Sequence, residues 1–211
     1  MVDRLESRLS GIVEALAGPG WCAVPGLVAP AAVEAIASEA RGLLGLGRFR
    51  PAGVGRGAGL AERPEIRGDR ICWVDRASAP PAIGAYLDLV ERLRLQVNRG
   101  LSLGLFELEA HLAIYPPGAF YRRHLDRHRG VELRTLTCLL YLNADWQPED
   151  GGTLRIYTDP NDPERFAEVA PRGGTFATFL SGDFEHEVMP ARRERLSLTG
   201  WLKRRGPPLG I

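Results

Sequence analysis

Along the first hundred residues the apolar positions recur at helical intervals. Leu5, Leu9, Ile12, Val13 and Leu16 form one stripe, which predicts a helix over 3–17 that Gly18-Pro19-Gly20 stops. Trp21 to Val24 reads as a short strand. A second helix opens at Pro30, with Val33, Ile36, Ala40, Leu43 and Leu44 on one side, and Gly45 and Gly47 end it. A third opens at Pro80-Pro81, carries Ile83, Tyr86, Leu87, Val90, Leu93, Leu95 and Val97, and ends at Gly100. From Phe106 onward the period shortens to two. Short strands are predicted at Phe106–Tyr115, around His124, at Thr135–Asn143, Thr153–Tyr157, Phe166–Val169 and Thr175–Phe179, at His186, and at Arg195–Trp201. Turn sequences such as Pro116-Pro117-Gly118 and Ser181-Gly182-Asp183 separate them. This order predicts an α+β fold, a double-stranded β-helix (jelly roll) braced by three N-terminal helices. We find no repeat and no boundary, so one domain is expected over 1–211, with helical support in 1–105 and the jelly-roll core in 106–203.

One stretch has no period. Residues 47–65, rich in glycine and arginine, read as a long loop, which is either functional or disordered. Ile66 to Asp75 follows as a strand, and alternation places Arg67 and Asp69 on one face, where they can pair.

Composition narrows the function. The chain has 211 residues, 45% hydrophobic and 25% charged, as in ordinary globular proteins. Its 27 basic and 26 acidic residues give a net charge of +1, which provides no general field for nucleic acid or an anionic membrane. No run approaches the roughly 20 apolar residues of a membrane span. Met1 to Glu6 lacks the pattern of a secretory signal, so a cytoplasmic location is expected. Cys22, Cys72 and Cys138 make no disulfide framework. The tail Lys203 to Pro208 is basic and reads as a solvated terminus.

The candidate chemistry lies between His124 and Trp201. His124 and Asp126 are two apart, so on an extended segment both side chains reach one point. His186 lies 62 residues on (186 minus 124) and must come from another strand. Two imidazoles and one carboxylate can occupy one face of Fe(II) and leave positions open. The same set also suits zinc. Arg195, Ser197, Thr199 and Trp201 share one strand face, and Thr137, Leu139 and Tyr141 share another. A guanidinium buried in a strand needs an anion, and its planar fork suits a carboxylate that Tyr141 can also reach. A zinc hydrolase has no need of that clamp. His128 is flanked by Arg127 and Arg129, which disfavours cation binding there. His111 reads as a hydrogen-bonded structural histidine. Glu185 and Glu187 alternate away from His186.

The segments Ile66 to Trp73, Tyr115-Pro116, Tyr121-Arg122-Arg123-His124-Leu125-Asp126, Leu136-Thr137-Cys138, Tyr141 to Trp146, Gly151 to Ile156 and His186 to Trp201 together resemble the iron(II)/2-oxoglutarate-dependent prolyl 4-hydroxylases. Within that family the chain is similar to the hydroxylases of hypoxia-inducible factor and their bacterial relatives. The resemblance implies an oxidoreductase with Fe(II) on His124, Asp126 and His186. It implies 2-oxoglutarate and dioxygen as cosubstrates, and ascorbate as an auxiliary reductant. Cosubstrate contacts are implied for Arg195, Tyr141, Tyr115, Thr199, Leu139 and Trp201, and substrate contacts for Arg67, Asp69, Arg134 and Tyr121. It further implies that the 47–65 loop closes over a protein substrate bearing an accessible proline, with a loop of elongation factor Tu as the bacterial example. A monomer is expected. Competing readings are a hydroxylase of a free amino acid or small metabolite, a non-catalytic iron and 2-oxoglutarate sensor, and, last, a nucleic-acid demethylase.

Overall fold

The computed structural model describes residues 2–55, 59–126 and 133–205. His128, the rest of the turn expected to Gly130, and the end of the basic tail lie outside them. The described elements run α1 (Val2–Ala17), β1 (Trp21–Val24), α2 (Pro30–Gly45), β2 (Arg50–Pro51), β3 (Gly53–Val54), β4 (Ala61–Glu62), β5 (Arg70–Val74), α3 (Pro81–Leu101) and β6 (Leu105–Tyr115). They continue as β7 (Tyr121–His124), β8 (Arg134–Tyr141), β9 (Leu154–Tyr157), β10 (Phe166–Val169), β11 (Phe176–Leu180), β12 (His186–Val188) and β13 (Arg195–Arg204). All named strands pair antiparallel.

The larger sheet has the order β1-β11-β8-β13-β6-β5-β2, and the smaller β10-β9-β12-β7. Period-two alternation gives the larger sheet two different faces. On one face Leu112, Ile114, Leu136, Cys138, Leu140, Leu196, Leu198 and Leu202 join the helices in a core with Leu9, Ile12, Ile36, Ile83, Leu87 and Leu93. On the other, Ala113, Tyr115, Leu139 and Tyr141 meet Leu154, Ile156 and Val188 of the smaller sheet. The result is the expected jelly roll, with the helices on one side and the space between the sheets on the other.

Two helix details depart from the sequence pattern. α3 runs past Gly100 and ends where Ser102 takes a left-handed conformation. Gly100 instead allows α1 to approach, because a Cβ there would lie 2.7 Å from Val13 Cγ1. Leu95 is exposed, since it falls about 80° around the helix from Leu87. The first turn of α3 is capped from α2: Glu39 accepts hydrogen bonds from the Ala82 and Ile83 amides, both 2.9 Å. The stretch 47–65 contains β2 and the two-stranded β3–β4 hairpin, and the strand expected from Ile66 begins only at Arg70. Strands of two residues are too short to show a period.

Candidate active site

The two sheets place their polar residues around one cavity of about 780 Å³. Its lining includes His124, Asp126, His186, Arg195, Thr199, Tyr115, Leu139, Trp201, Arg67, Arg134 and Tyr121, from six stretches of chain. Of the remaining sequence candidates, Asp69 and Tyr141 are buried directly behind this lining.

His124 ends β7 and His186 begins β12, and the register sets them directly opposite one another. Asp126 is not on the strand, contrary to the alternation argument: β7 stops at His124 and the chain bends at Asp126. The bend still brings its carboxylate between the imidazoles. Nε2 of His124 lies 3.7 Å from Oδ1, and Nε2 of His186 lies 3.6 Å from Oδ2. One ligand atom from each of the three lies within 4.8 Å of the others. Nδ1 of His124 is 2.7 Å from the Arg122 carbonyl, and Nδ1 of His186 is 3.1 Å from that of Phe184. Donation from both Nδ1 atoms leaves both Nε2 lone pairs facing the carboxylate, as a metal-binding histidine requires.

Electrostatics act in the same direction. Burial pushes the His186 imidazole down to about 4, and His124 adds to the effect, so His186 is neutral near pH 7. Burial alone would raise the Asp126 carboxyl, but His186 and then His124 override it and hold the group well below the usual carboxylate range. Thr137 Oγ1 donates to Asp126 Oδ2 at 2.8 Å and lies 2.8 Å from Ser181 Oγ. Sequence reasoning missed this support: Ser181 lies 44 residues from Thr137 (181 minus 137), and only the β8–β11 pairing brings them together. Tyr121 stacks on the His124 ring at 3.6 Å between centroids, and Phe179 packs on His186 at 4.7 Å.

Arg195 lies deep in the cavity and is 1% exposed. Its Nε donates to the Gly152 carbonyl at 3.0 Å, and its guanidinium carbon is 5.0 Å from the centroids of both Tyr115 and Tyr141. Gly152 has φ +67°, and a Cβ there would crowd Ala191 and Arg195. Arg195 Nη2 and the Tyr141 hydroxyl are both buried without a hydrogen-bond partner. Burial raises the Tyr141 and Tyr115 phenols, so both remain neutral. Two orphaned donors beside a buried positive charge fit a carboxylate and would each be costly without one.

At the mouth Arg67 donates twice to Asp69, at 2.7 and 2.6 Å, and lies 4.2 Å over the Tyr121 ring. Burial works against the charge on Arg67, but Asp69 outweighs it and raises the pKa. This is a buried ion pair, not a solvated one. Arg134 stacks on Trp201 at 3.5 Å and pairs with Glu109. His111 differs from expectation: its Nδ1 has no hydrogen-bond partner, and the ring is held between Trp73 and Trp201 at 5.1 and 5.2 Å. Trp73, 54% exposed, lines the entrance and went unnoticed as a site residue because a tryptophan in a strand reads equally as core. Glu185 and Glu187 point away from His186 as expected, onto Arg123 and the Tyr157 hydroxyl.

A jelly roll enclosing two histidines, an aspartate and a buried arginine is the architecture of a non-haem iron oxygenase. Residues 110–203 match the 2OG-Fe(II) oxygenase superfamily. Human prolyl hydroxylase EGLN3 is 31% identical over 209 residues, covering 95% of this chain and 85% of the relative. Human Egl nine homolog 1 is 30% identical over 205 residues, 93% of this chain and 47% of the relative. This chain therefore spans about half the length of the Egl nine homologs it matches. A crystal structure of a Pseudomonas putida prolyl-4-hydroxylase is similar with a TM-score of 0.84 and 44% identity, covering 94% of this chain and 100% of that one. A Trichoplax adhaerens prolyl hydroxylase in complex with a hypoxia-inducible-factor peptide fragment also gives 0.84, at 26% identity, covering 96% and 91%. The chain belongs to the 2-oxoglutarate- and Fe(II)-dependent oxygenases, within the prolyl hydroxylase family.

Proposed function

We propose that this protein hydroxylates a prolyl residue in a protein segment, using Fe(II), 2-oxoglutarate and dioxygen. The observation that carries the reading is the pairing of the His124–Asp126–His186 cluster with the unpartnered Arg195 and Tyr141 groups in one cavity. When bound, iron and 2-oxoglutarate supply the oxidative chemistry: dioxygen is consumed, 2-oxoglutarate becomes succinate and carbon dioxide, and a hydroxyl replaces one hydrogen on the substrate carbon. His124, Asp126 and His186 hold the metal. Arg195 pairs with the far carboxylate of 2-oxoglutarate, and Tyr141 donates its hydroxyl to it. Tyr115, Leu139, Thr199 and Trp201 line the pocket around it and exclude water. Arg67, Asp69, Tyr121 and Arg134 frame the entrance, where the substrate segment lies. The similarity to a prolyl hydroxylase in complex with a protein-derived peptide supports a polypeptide substrate over a free amino acid.

The candidate substrate is a loop of elongation factor Tu, met in the cytoplasm by a monomeric enzyme, with ascorbate as an auxiliary reductant. The test measures succinate formation with elongation factor Tu added or omitted, and the mass of the added protein. Stimulated succinate and one added oxygen atom on a proline are expected, both lost in His124→Ala. Succinate at the same slow rate with and without protein would discard this substrate. No succinate from iron-loaded protein would favour a sensor.

A further inference from the structure

The mouth of the cavity carries positive charge that the reading above leaves without a partner. Of the guanidiniums lining the cavity, Arg67 is matched by Asp69 and Arg134 by Glu109, and Arg195 lies on the floor. Arg48 and Arg50 line it from the edge, just before and within β2, and both are exposed. Arg70, exposed on the neighbouring strand, is the register partner of Pro51. Among the described residues none of these three has a carboxylate within 4 Å. Asp126, committed to the metal cluster, is the one carboxylate among the described lining residues.

Two of the three charges, those of Arg50 and Arg70, are held together by the backbone. Arg50 donates to the carbonyls of Gly47 and Phe49, and Arg70 donates to the same Phe49 carbonyl; both bonds to Phe49 are 3.2 Å. Two guanidiniums on one oxygen place like charges side by side, a repulsion that a bound anion would relieve. A carboxylate accepts two parallel N–H bonds from a guanidinium, so it meets this need directly. Exposed Trp73 and Leu60 continue the rim as apolar surface.

We propose that Arg48, Arg50 and Arg70 form a site for acidic side chains of the substrate, on residues flanking the proline that reaches the metal cluster. The inference rests on the proposed function and specifies its substrate class: a proline in an acidic segment. A few arginines at one edge of the cavity, on a chain of net charge +1, suit one or two carboxylates better than the extended backbone of a nucleic acid.

The test uses two synthetic proline peptides, identical except that Asp and Glu in one are Asn and Gln in the other. Hydroxylation of each is followed by mass spectrometry with iron-loaded protein, at low and high salt. The acidic peptide is expected to have a KM about tenfold lower at low salt, the sum of a few partly exposed ion pairs. The ratio should shrink as salt is raised and approach one in an Arg48→Gln/Arg50→Gln variant. Equal KM values in the parent protein, or a ratio unchanged in the variant, would overturn the inference. If neither peptide is hydroxylated, the activity reading fails, and fluorescence anisotropy of labelled peptides then reads the rim alone. Preferential binding of the acidic peptide, lost in the variant, supports the site; equal binding refutes it. Tighter binding of a single-stranded oligonucleotide than of the acidic peptide would reassign the rim to nucleic acid.

Discussion

At the scale of single residues, the site keeps its donors neutral or charged by burial and contact. His111 is a clear case: it is buried, and its Nδ1 has no hydrogen-bond partner. Burial, with Arg67 adding to it, pushes its imidazole down to about 4; Asp69 and Asp126 act in the opposite direction and do not overcome it. Between this value and the unfolded value near 6.5 the unfolded chain holds a proton that the folded protein does not. The stability contributed by neutral His111 is therefore complete above pH 6.5 and is lost as pH falls toward 4. From pH 7 to 4.5 this group accounts for about 2 kcal/mol. Denaturant unfolding of the parent and of His111→Gln across that range should show the parent losing about that much more. Parallel pH profiles would mean that the ring is protonated in the folded protein.

At the scale of elements, the metal cluster depends on the register of β7 against β12. That pairing is irregular. His186 faces His124 and Val188 faces Tyr121, so β7 holds one extra residue across the same span. A bulge locally disrupts the ladder, so side chains beside it help to hold the pairing. Those side chains lie on the outer face of the smaller sheet. Arg123 bonds Glu185 at 2.6 Å and stacks on Tyr157 at 3.7 Å, and the Tyr157 hydroxyl donates to Glu187 at 2.6 Å. The latch thus flanks both histidines without touching a metal. Arg123→Ala should weaken Mn(II) binding about tenfold while leaving the three ligands in place, and an Arg123→Glu/Glu185→Arg swap should recover most of it. Unchanged Mn(II) affinity in Arg123→Ala would show that backbone pairing alone sets the register. The grouping of the candidate residues was legible in part: alternation groups Arg195 with Thr199 and Trp201, and a spacing of two joins His124 to Asp126, although Asp126 reaches the cluster from a bend and not from the strand. The latch was not legible, since Arg123 and Glu185 are 62 residues apart (185 minus 123) and look like ordinary surface charges. The β3–β4 hairpin was hidden for a different reason: its strands have two residues each, too few for an alternation to repeat.

For the whole molecule, the metal cluster and the Arg195 pocket should take up their ligands in separable steps. The metal cluster joins β7, the bend after it and β12, whereas the Arg195 pocket lies deeper, between β13 and the turn at Gly152. Ligand that binds only the folded chain stabilises it by an amount that grows with the logarithm of its concentration over Kd, about 2.7 kcal/mol at a hundred times Kd. For a chain of this size that is a rise in Tm on the order of 5–10 °C. Mn(II) alone should give one increment, and Mn(II) with 2-oxoglutarate a second. On the proposed function 2-oxoglutarate would also meet the metal, so His124→Ala should lose both. Arg195→Ala should keep the Mn(II) increment and lose most of the second, since the far carboxylate then has no cation to meet. The two steps come apart only if the clamp and the metal cluster are separate parts of one cavity, as the unpartnered Arg195 Nη2 and Tyr141 hydroxyl indicate. A full second increment in Arg195→Ala would remove Arg195 from the cosubstrate site. Loss of the Mn(II) increment in that variant would mean instead that the arginine supports the metal cluster through the sheet.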